Sequence, residues 1–234
     1  MNVSESAKKQ LKISPSMMCA DFLDLKKDLD VLIEEKIDYL HIDIMDGRYV
    51  PNFTLGADFC RALSSYTDIP LDIHLMIEDP DRYVPLFAQF RNAVVSFHPE
   101  TTRHPVRTVQ LIKSLGARAG AALDPALPLD GLRYLLPDLD MVCVMTVSPG
   151  YAGQKLVPQA MGKIKEVADL VRESGFSPEI EVDGNVSWTN LPAMLQAGAE
   201  VFVAGTSSLF EKGKDLRENI RRFKAILTRD ARPA

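Results

Sequence analysis

The sequence predicts an α/β protein, a single (β/α)8 or TIM barrel, on three observations. Short β-rich apolar runs alternate with longer segments of helical periodicity from Lys12 to the end, eight such units can be counted, and the polar residues fall just after the strands. A chain of 234 residues with 46% hydrophobic content can bury one large core, a length such barrels use whole. No linker, low-complexity tract or long charge run divides it, so residues 11–234 are read as one barrel domain behind a polar, flexible tail at residues 1–10. A doubly wound open sheet is the rival architecture, disfavoured by the count of eight units.

The expected strands, in order, are Lys12–Ser14, Tyr39–Met45, Leu71–Met76, Ala93–Phe97, Arg118–Ala122, Met141–Val147, Glu179–Val182 and Val201–Ala204. Between them, Leu25, Leu29, Leu32 and Ile33 make one apolar helix face, and Ile164, Val167, Ala168 and Val171 another. Proline and glycine punctuate the strand ends, as at Ser14-Pro15-Ser16, Asp46-Gly47, Asp124-Pro125, Ser148-Pro149-Gly150 and Asp183-Gly184.

Composition narrows the function. A formal net charge of −5 argues against a nucleic-acid or anionic-membrane surface, since both favour clustered Lys and Arg. The three cysteines, Cys19, Cys60 and Cys143, lie far apart with no CxxC spacing and read as reduced thiols of a cytoplasmic protein. No apolar run approaches the roughly 20 residues of a membrane span, and MNVSESAKKQ lacks the apolar stretch of a secretory signal.

The chemistry concentrates first in His41-Ile42-Asp43-Ile44-Met45-Asp46-Gly47, where residues 41, 43 and 45 share one strand face and Ile42 and Ile44 take the other. An ordinary barrel strand is apolar on both faces. Leu71-Asp72-Ile73-His74-Leu75-Met76 repeats the device with Asp72, His74 and Met76 on one face, and Glu181-Val182-Asp183-Gly184-Asn185 brings a third polar strand end. A lone buried histidine is ordinarily a hydrogen-bonded core residue. Two strands that each set His beside a carboxylate instead predict one divalent metal ion, with nitrogen and oxygen donors that suit zinc, iron(II), manganese or cobalt.

A second constellation predicts a phosphate site. Gly150, Tyr151, Ala152 and Gly153 follow the sixth strand, Gly184 and Asn185 the seventh, and Gly205, Thr206 and Ser207 the eighth. In a barrel, the loops after the last strands cradle phosphate with backbone N–H groups, and glycine admits the anion closely. Met45, Met76 and Met145 occupy late positions of three strands; core filling is the default for methionine, a water-excluding lining the alternative. His98 and Glu100 are assigned no chemistry, His104 a helix start, and Trp188 a packing role.

These residues, together with Ile13-Ser14-Pro15-Ser16, Val50-Pro51-Asn52 and His98-Pro99-Glu100, resemble the ribulose-phosphate 3-epimerase family from about Lys12 to Phe210. The resemblance implies that His41, Asp43, His74 and Asp183 bind the divalent metal and that Asp43 and Asp183 are the catalytic acid–base pair. It implies substrate contacts by Ser16 and His74, a lining of Met45, Met76 and Met145, and a phosphate end at Gly150–Gly153, Gly184 with Asn185, and Gly205–Ser207. Inverting the carbon beside a ketone takes a proton from one face and returns one to the other, so two opposed carboxylates suffice, through an enediolate. The partner is a small-molecule ketose phosphate, and the family likeness brings an expectation of homo-oligomers.

Within the family, Ser16-Met17-Met18-Cys19, His98-Pro99-Glu100-Thr101, Tyr151-Ala152 and Glu181 look more like the enzymes of D-allulose 6-phosphate, the preferred substrate at this level, giving D-fructose 6-phosphate. The alternative is epimerisation of D-ribulose 5-phosphate to D-xylulose 5-phosphate, and a more distant one a barrel keto-acid-phosphate decarboxylase. Arg48 and Asn185 depart from the residues common among the hexulose-phosphate enzymes.

Overall fold

A computed structural model describes residues 10–230, so the expected tail at residues 1–10 lies, apart from Gln10, outside the described residues. Strands β1 (Lys12–Pro15), β2 (Leu40–Asp46), β4 (Leu71–Met76), β5 (Val94–Phe97), β6 (Arg118–Leu123), β7 (Met141–Met145), β8 (Glu179–Asp183) and β9 (Val201–Ala204) are the eight expected ones, within two residues at each end. A ninth, β3 (Phe53–Thr54), pairs antiparallel with the end of β2. All other pairings are parallel, in the order β1-β9-β8-β7-β6-β5-β4-β2-β3. The sheet closes where Ser16 bridges His41 and the Tyr39 N–H donates to the Ile13 carbonyl at 3.3 Å. The fold is the expected α/β barrel.

Helices α1 (Leu25–Glu34), α2 (Ala57–Tyr66), α3 (Pro80–Phe87), α4 (Pro105–Ser114), α5 (Ala160–Ser174), α6 (Leu191–Gln196) and α7 (Leu216–Asp230) cover the outside. The fifth unit departs from the expected strand–helix repeat, with two short 3-10 turns, Leu132–Tyr134 and Leu136–Asp138, between β6 and β7. Pro125, Pro128, Gly131 and Pro137 explain it: the longest stretch free of a breaker between them is too short for a stable α-helix. None of the described helices is long and apolar enough to cross a membrane.

Alternation along the strands sorts the two faces. Ile42, Ile44, Ile73, Leu75, Val142, Val144 and Phe202 turn outward into one continuous core with Leu32, Leu63, Val84, Ile112, Val167 and Phe223 of the helices. Inward, the strand N-terminal end is plugged by Lys12, Tyr39, Arg118 and Glu179, which bond to one another, above which Tyr39, Val94, Met141 and Val201 pack as an apolar layer. This apolar layer separates the polar plug at the N-terminal end from the polar side chains of the C-terminal half of the barrel. Gly120 belongs to this taper: a Cβ there would stand 2.0 Å from the Ser96 hydroxyl. Phe202 is wholly buried, its ring 6.2 Å edge-on from Phe223. Phe202→Ala should cost about 3–5 kcal/mol in urea unfolding with m unchanged, the range for a large aromatic leaving a cavity; a loss under about 1 kcal/mol would mean the helix layer collapses into the space.

Candidate active site

Parallel register does the first part of the assembly. β2 and β4 pair so that His41 lies beside Asp72, Asp43 beside His74 and Met45 beside Met76, three inward layers in succession. β8 delivers Asp183 at the same height from another wall. The His41 Nε2 stands 3.2 Å from Asp43 Oδ1 and 3.8 Å from Asp183 Oδ2, and the His74 Nδ1 3.6 and 3.5 Å from the same two oxygens. One donor atom from each of the four residues thus lies within 4.8 Å of every other. Both histidines are fully buried, whereas Asp43 and Asp183 reach the cleft above.

Each group's surroundings prepare it for a cation. His41 presents Nε2 to the cluster because Asp72 Oδ2 holds its Nδ1 at 2.6 Å, and Ser14 in turn donates to that carboxylate oxygen at 2.9 Å. Burial opposes charge on His41, but the carboxylates of Asp72 and Asp43 outweigh it and raise its pKa well above the ordinary value. Burial would also raise the Asp43 carboxyl, yet His41 and His74 hold it far below the usual range, and the Ser16 hydroxyl donates to Oδ2 at 3.0 Å. Glu181, on the far side of His41, is pushed well above its ordinary value by burial and by Asp72. The His74 Nδ1 is buried without a hydrogen-bond partner. An orphaned imidazole nitrogen facing two carboxylates, with a second imidazole completing the set, fits a divalent metal ion.

Above the tetrad opens a cleft at the mouth of the barrel. Its floor carries Ser16, Asp43, Asp183 and the three methionines Met45, Met76 and Met145. Along one side run Gly150, Tyr151, Ala152 and Gly153, then Gly184 with Asn185, then Gly205, Thr206 and Ser207. These loops brace one another: Asn185 Nδ2 donates to the Gln154 carbonyl at 2.6 Å, Asn52 Nδ2 to that of Gly150 at 2.9 Å, and the Tyr151 hydroxyl to that of Pro51 at 2.8 Å. Gly184 sits at φ +112°, where a Cβ would meet Val147 at 2.6 Å. Only glycine fits there.

A family model described as the ribulose-phosphate 3 epimerase family matches residues 12–210, most of the chain and all of the barrel strands. The chain belongs to the ribulose-phosphate 3-epimerase family. It is therefore an isomerase that acts on a carbohydrate phosphate. It is 43% identical over 198 residues to a ribulose-phosphate 3-epimerase of Bacillus subtilis, covering 84% of this chain and 91% of that protein. To the Escherichia coli K12 protein of that name it is 42% identical over 205 residues, 87% and 91% of the two chains. A chloroplastic ribulose-5-phosphate-3-epimerase of Arabidopsis thaliana is 41% identical over 225 residues, 95% of this chain and 79% of that one. Among solved structures, KGPDC from Streptococcus mutans superposes with a TM-score of 0.67 at 16% identity, covering 94% and 99% of the chains. A 3-hexulose-6-phosphate synthase from Salmonella typhimurium gives 0.65, also at 16%, with 94% and 100% covered. At such identity these two speak for the barrel alone.

All the residues that sequence reading gathered for the epimerase site come together in the fold. His41 and His74 lie beneath the cleft, and the remainder line it. What sequence reading missed lies around His74. His98 is fully buried with its Nε2 2.9 Å from the His74 Nε2, so three of the chain's four histidines meet inside the barrel. Its partners are Tyr49, from the β2–β3 connection, and Glu100. Strand alternation in Val94–Phe97 puts Ser96 inward and extends the inward face to His98, a signal that the intervening Pro99 obscured. Asp72 was seen as inward-facing but not as the group that orients His41. Met18 and Cys19 also line the cleft.

Proposed function

We propose that the chain interconverts D-ribulose 5-phosphate and D-xylulose 5-phosphate by moving the proton at carbon 3, with Asp43 and Asp183 as the two bases. The observation that carries the reading is the tetrad itself. Two carboxylates from β2 and β8 approach a common point from different walls, and both open to the cleft. One carboxylate removes the proton from one face of the sugar; the other returns a proton to the opposite face of the planar enediolate. His41, Asp43, His74 and Asp183 would hold a divalent ion, which when bound would supply Lewis acidity for the negative charge that develops. Ser16, bonded to Asp43, keeps that carboxylate turned toward the substrate. The methionines exclude water from the reacting carbon without competing for its proton. Phosphate binding at Gly150–Gly153, Gly184 and Gly205–Ser207 anchors the sugar away from the reacting carbon, so remote binding energy orients it.

The pentulose is preferred over the hexulose expected from local sequence detail because the relatives matched over most of their length carry the ribulose-phosphate name. One observation favours a second reading, D-allulose 6-phosphate: Met18 and Cys19, part of the sequence detail behind that expectation, border the cleft. The keto-acid-phosphate decarboxylase reading rests on a shared barrel only. Separate assays with the two ketose phosphates discriminate through kcat/KM. The pentulose value should be at least about tenfold the larger, a difference of about 1.4 kcal/mol in transition-state binding. A larger value for the hexulose would reverse the assignment.

A further inference from the structure

The two histidines of the tetrad are oriented by different means. His41 is held from behind by a carboxylate, Asp72, in direct contact. His74 has no such neighbour; its Nε2 faces the Nε2 of His98 at 2.9 Å. Beyond it, the Tyr49 hydroxyl lies 3.0 Å from the His98 Nδ1 and 2.7 Å from Glu100 Oε1, while the Nδ1 of His98 is 3.4 Å from the same carboxylate oxygen.

Hydrogen bonding along this row can run in one direction only if His74 offers a lone pair from Nδ1. With that nitrogen free to ligate, the ring hydrogen of neutral His74 is on Nε2 and must be donated to His98 Nε2. His98, accepting there, carries its own hydrogen on Nδ1 and donates it to the Tyr49 oxygen. Tyr49 in turn donates to Glu100, a carboxylate that only accepts. The acceptor at the outer end thus sets the sense of every bond inward to His74. Turning either ring alone would leave two N–H groups, or two lone pairs, facing each other at 2.9 Å between fully buried rings, and turning the whole row would take from Glu100 the hydrogen that Tyr49 donates to it.

We propose that His98, Tyr49 and Glu100 form a positioning relay that locks His74 in the tautomer with a free Nδ1, and so sets the affinity of the tetrad for its metal ion. The relay rests on the metal reading of the tetrad. It extends the control of a buried ligand to Glu100, whose side chain is 27% exposed at the protein surface. Outer partners of ligating histidines have this role in metal sites generally, and their loss weakens binding about 10- to 100-fold.

Zinc ion alone is the probe, titrated against a competing chelator with the full chain. His98→Phe, which keeps the ring volume but removes the acceptor, should weaken the Zn2+ dissociation constant about 10- to 100-fold. His98→Gln, whose amide oxygen can accept from the His74 Nε2–H, should recover most of that loss. Glu100→Gln should weaken binding in the same direction by less, with the unfolding midpoint of the metal-free protein unchanged. If His98→Phe does not fold, Glu100→Gln decides. Zn2+ affinities within about threefold of the parent in the folded relay variants, while His74→Ala has lost binding, overturn the relay and leave the metal reading intact. Undiminished binding by His74→Ala overturns both.

Discussion

Asp43→Asn and Asp183→Asn should each lower kcat/KM for epimerisation by at least about 10²–10⁴-fold, the contribution of a positioned general acid–base group. Asparagine keeps the shape and one oxygen donor but cannot take a proton at neutral pH. The loss should differ in kind from a binding defect, because only one face of the sugar is left without its base. In deuterated water, a variant retaining one carboxylate should still wash deuterium into carbon 3 of the epimer whose proton faces that group, while forming little of the other epimer. Each variant should favour exchange of a different epimer. Fold should persist: Asp183 borders an open cleft, and in Asp43→Asn the amide oxygen at that position can still accept from Ser16. Turnover within tenfold of the parent in both variants would sink the two-base mechanism.

The second large effect is that of metal removal. Exhaustive chelation should abolish epimerisation, and zinc, iron(II), manganese or cobalt should restore it. Stability should move with it, because the ion binds a site that only the folded barrel assembles. Free ion at one hundred times its dissociation constant adds about 2.7 kcal/mol, which for a domain of this size raises Tm by about 5–11 °C. The midpoint of the metal-free protein should accordingly rise with the concentration of added ion, more steeply for the parent than for His74→Ala. Full activity in protein shown by elemental analysis to hold no metal would remove the ion from the mechanism.

The sequence by itself determined which way the site residues face and where the loops of the cleft turn. A period of two along 41–45 and 72–76 is enough to put His41 with Asp43, and Asp72 with His74, on inward faces, since a strand offers only two sides. Glycine and proline after the strands mark where the loops must turn, and their places after the sixth, seventh and eighth strands foretell one wall of the cleft. The proline-rich stretch at 124–139 misled the count of helices only because eight units were expected to be alike.

Tertiary structure decided what crosses the barrel. Alternation says that Asp183 points inward, but not that it reaches the level of His41 and His74, because β8 and β2 share no hydrogen bonds and their relative height depends on the stagger accumulated around the closed sheet. The family likeness named Asp183 as a ligand; closure is what brings its carboxylate to 3.5 Å from the His74 Nδ1. The same holds for Tyr49, His98 and Glu100, which come from two connections with no shared motif and meet only because β2, β4 and β5 are consecutive staves. A one-dimensional pattern encodes which way a side chain faces; which side chains it then meets is set by register, shear and closure of the whole sheet.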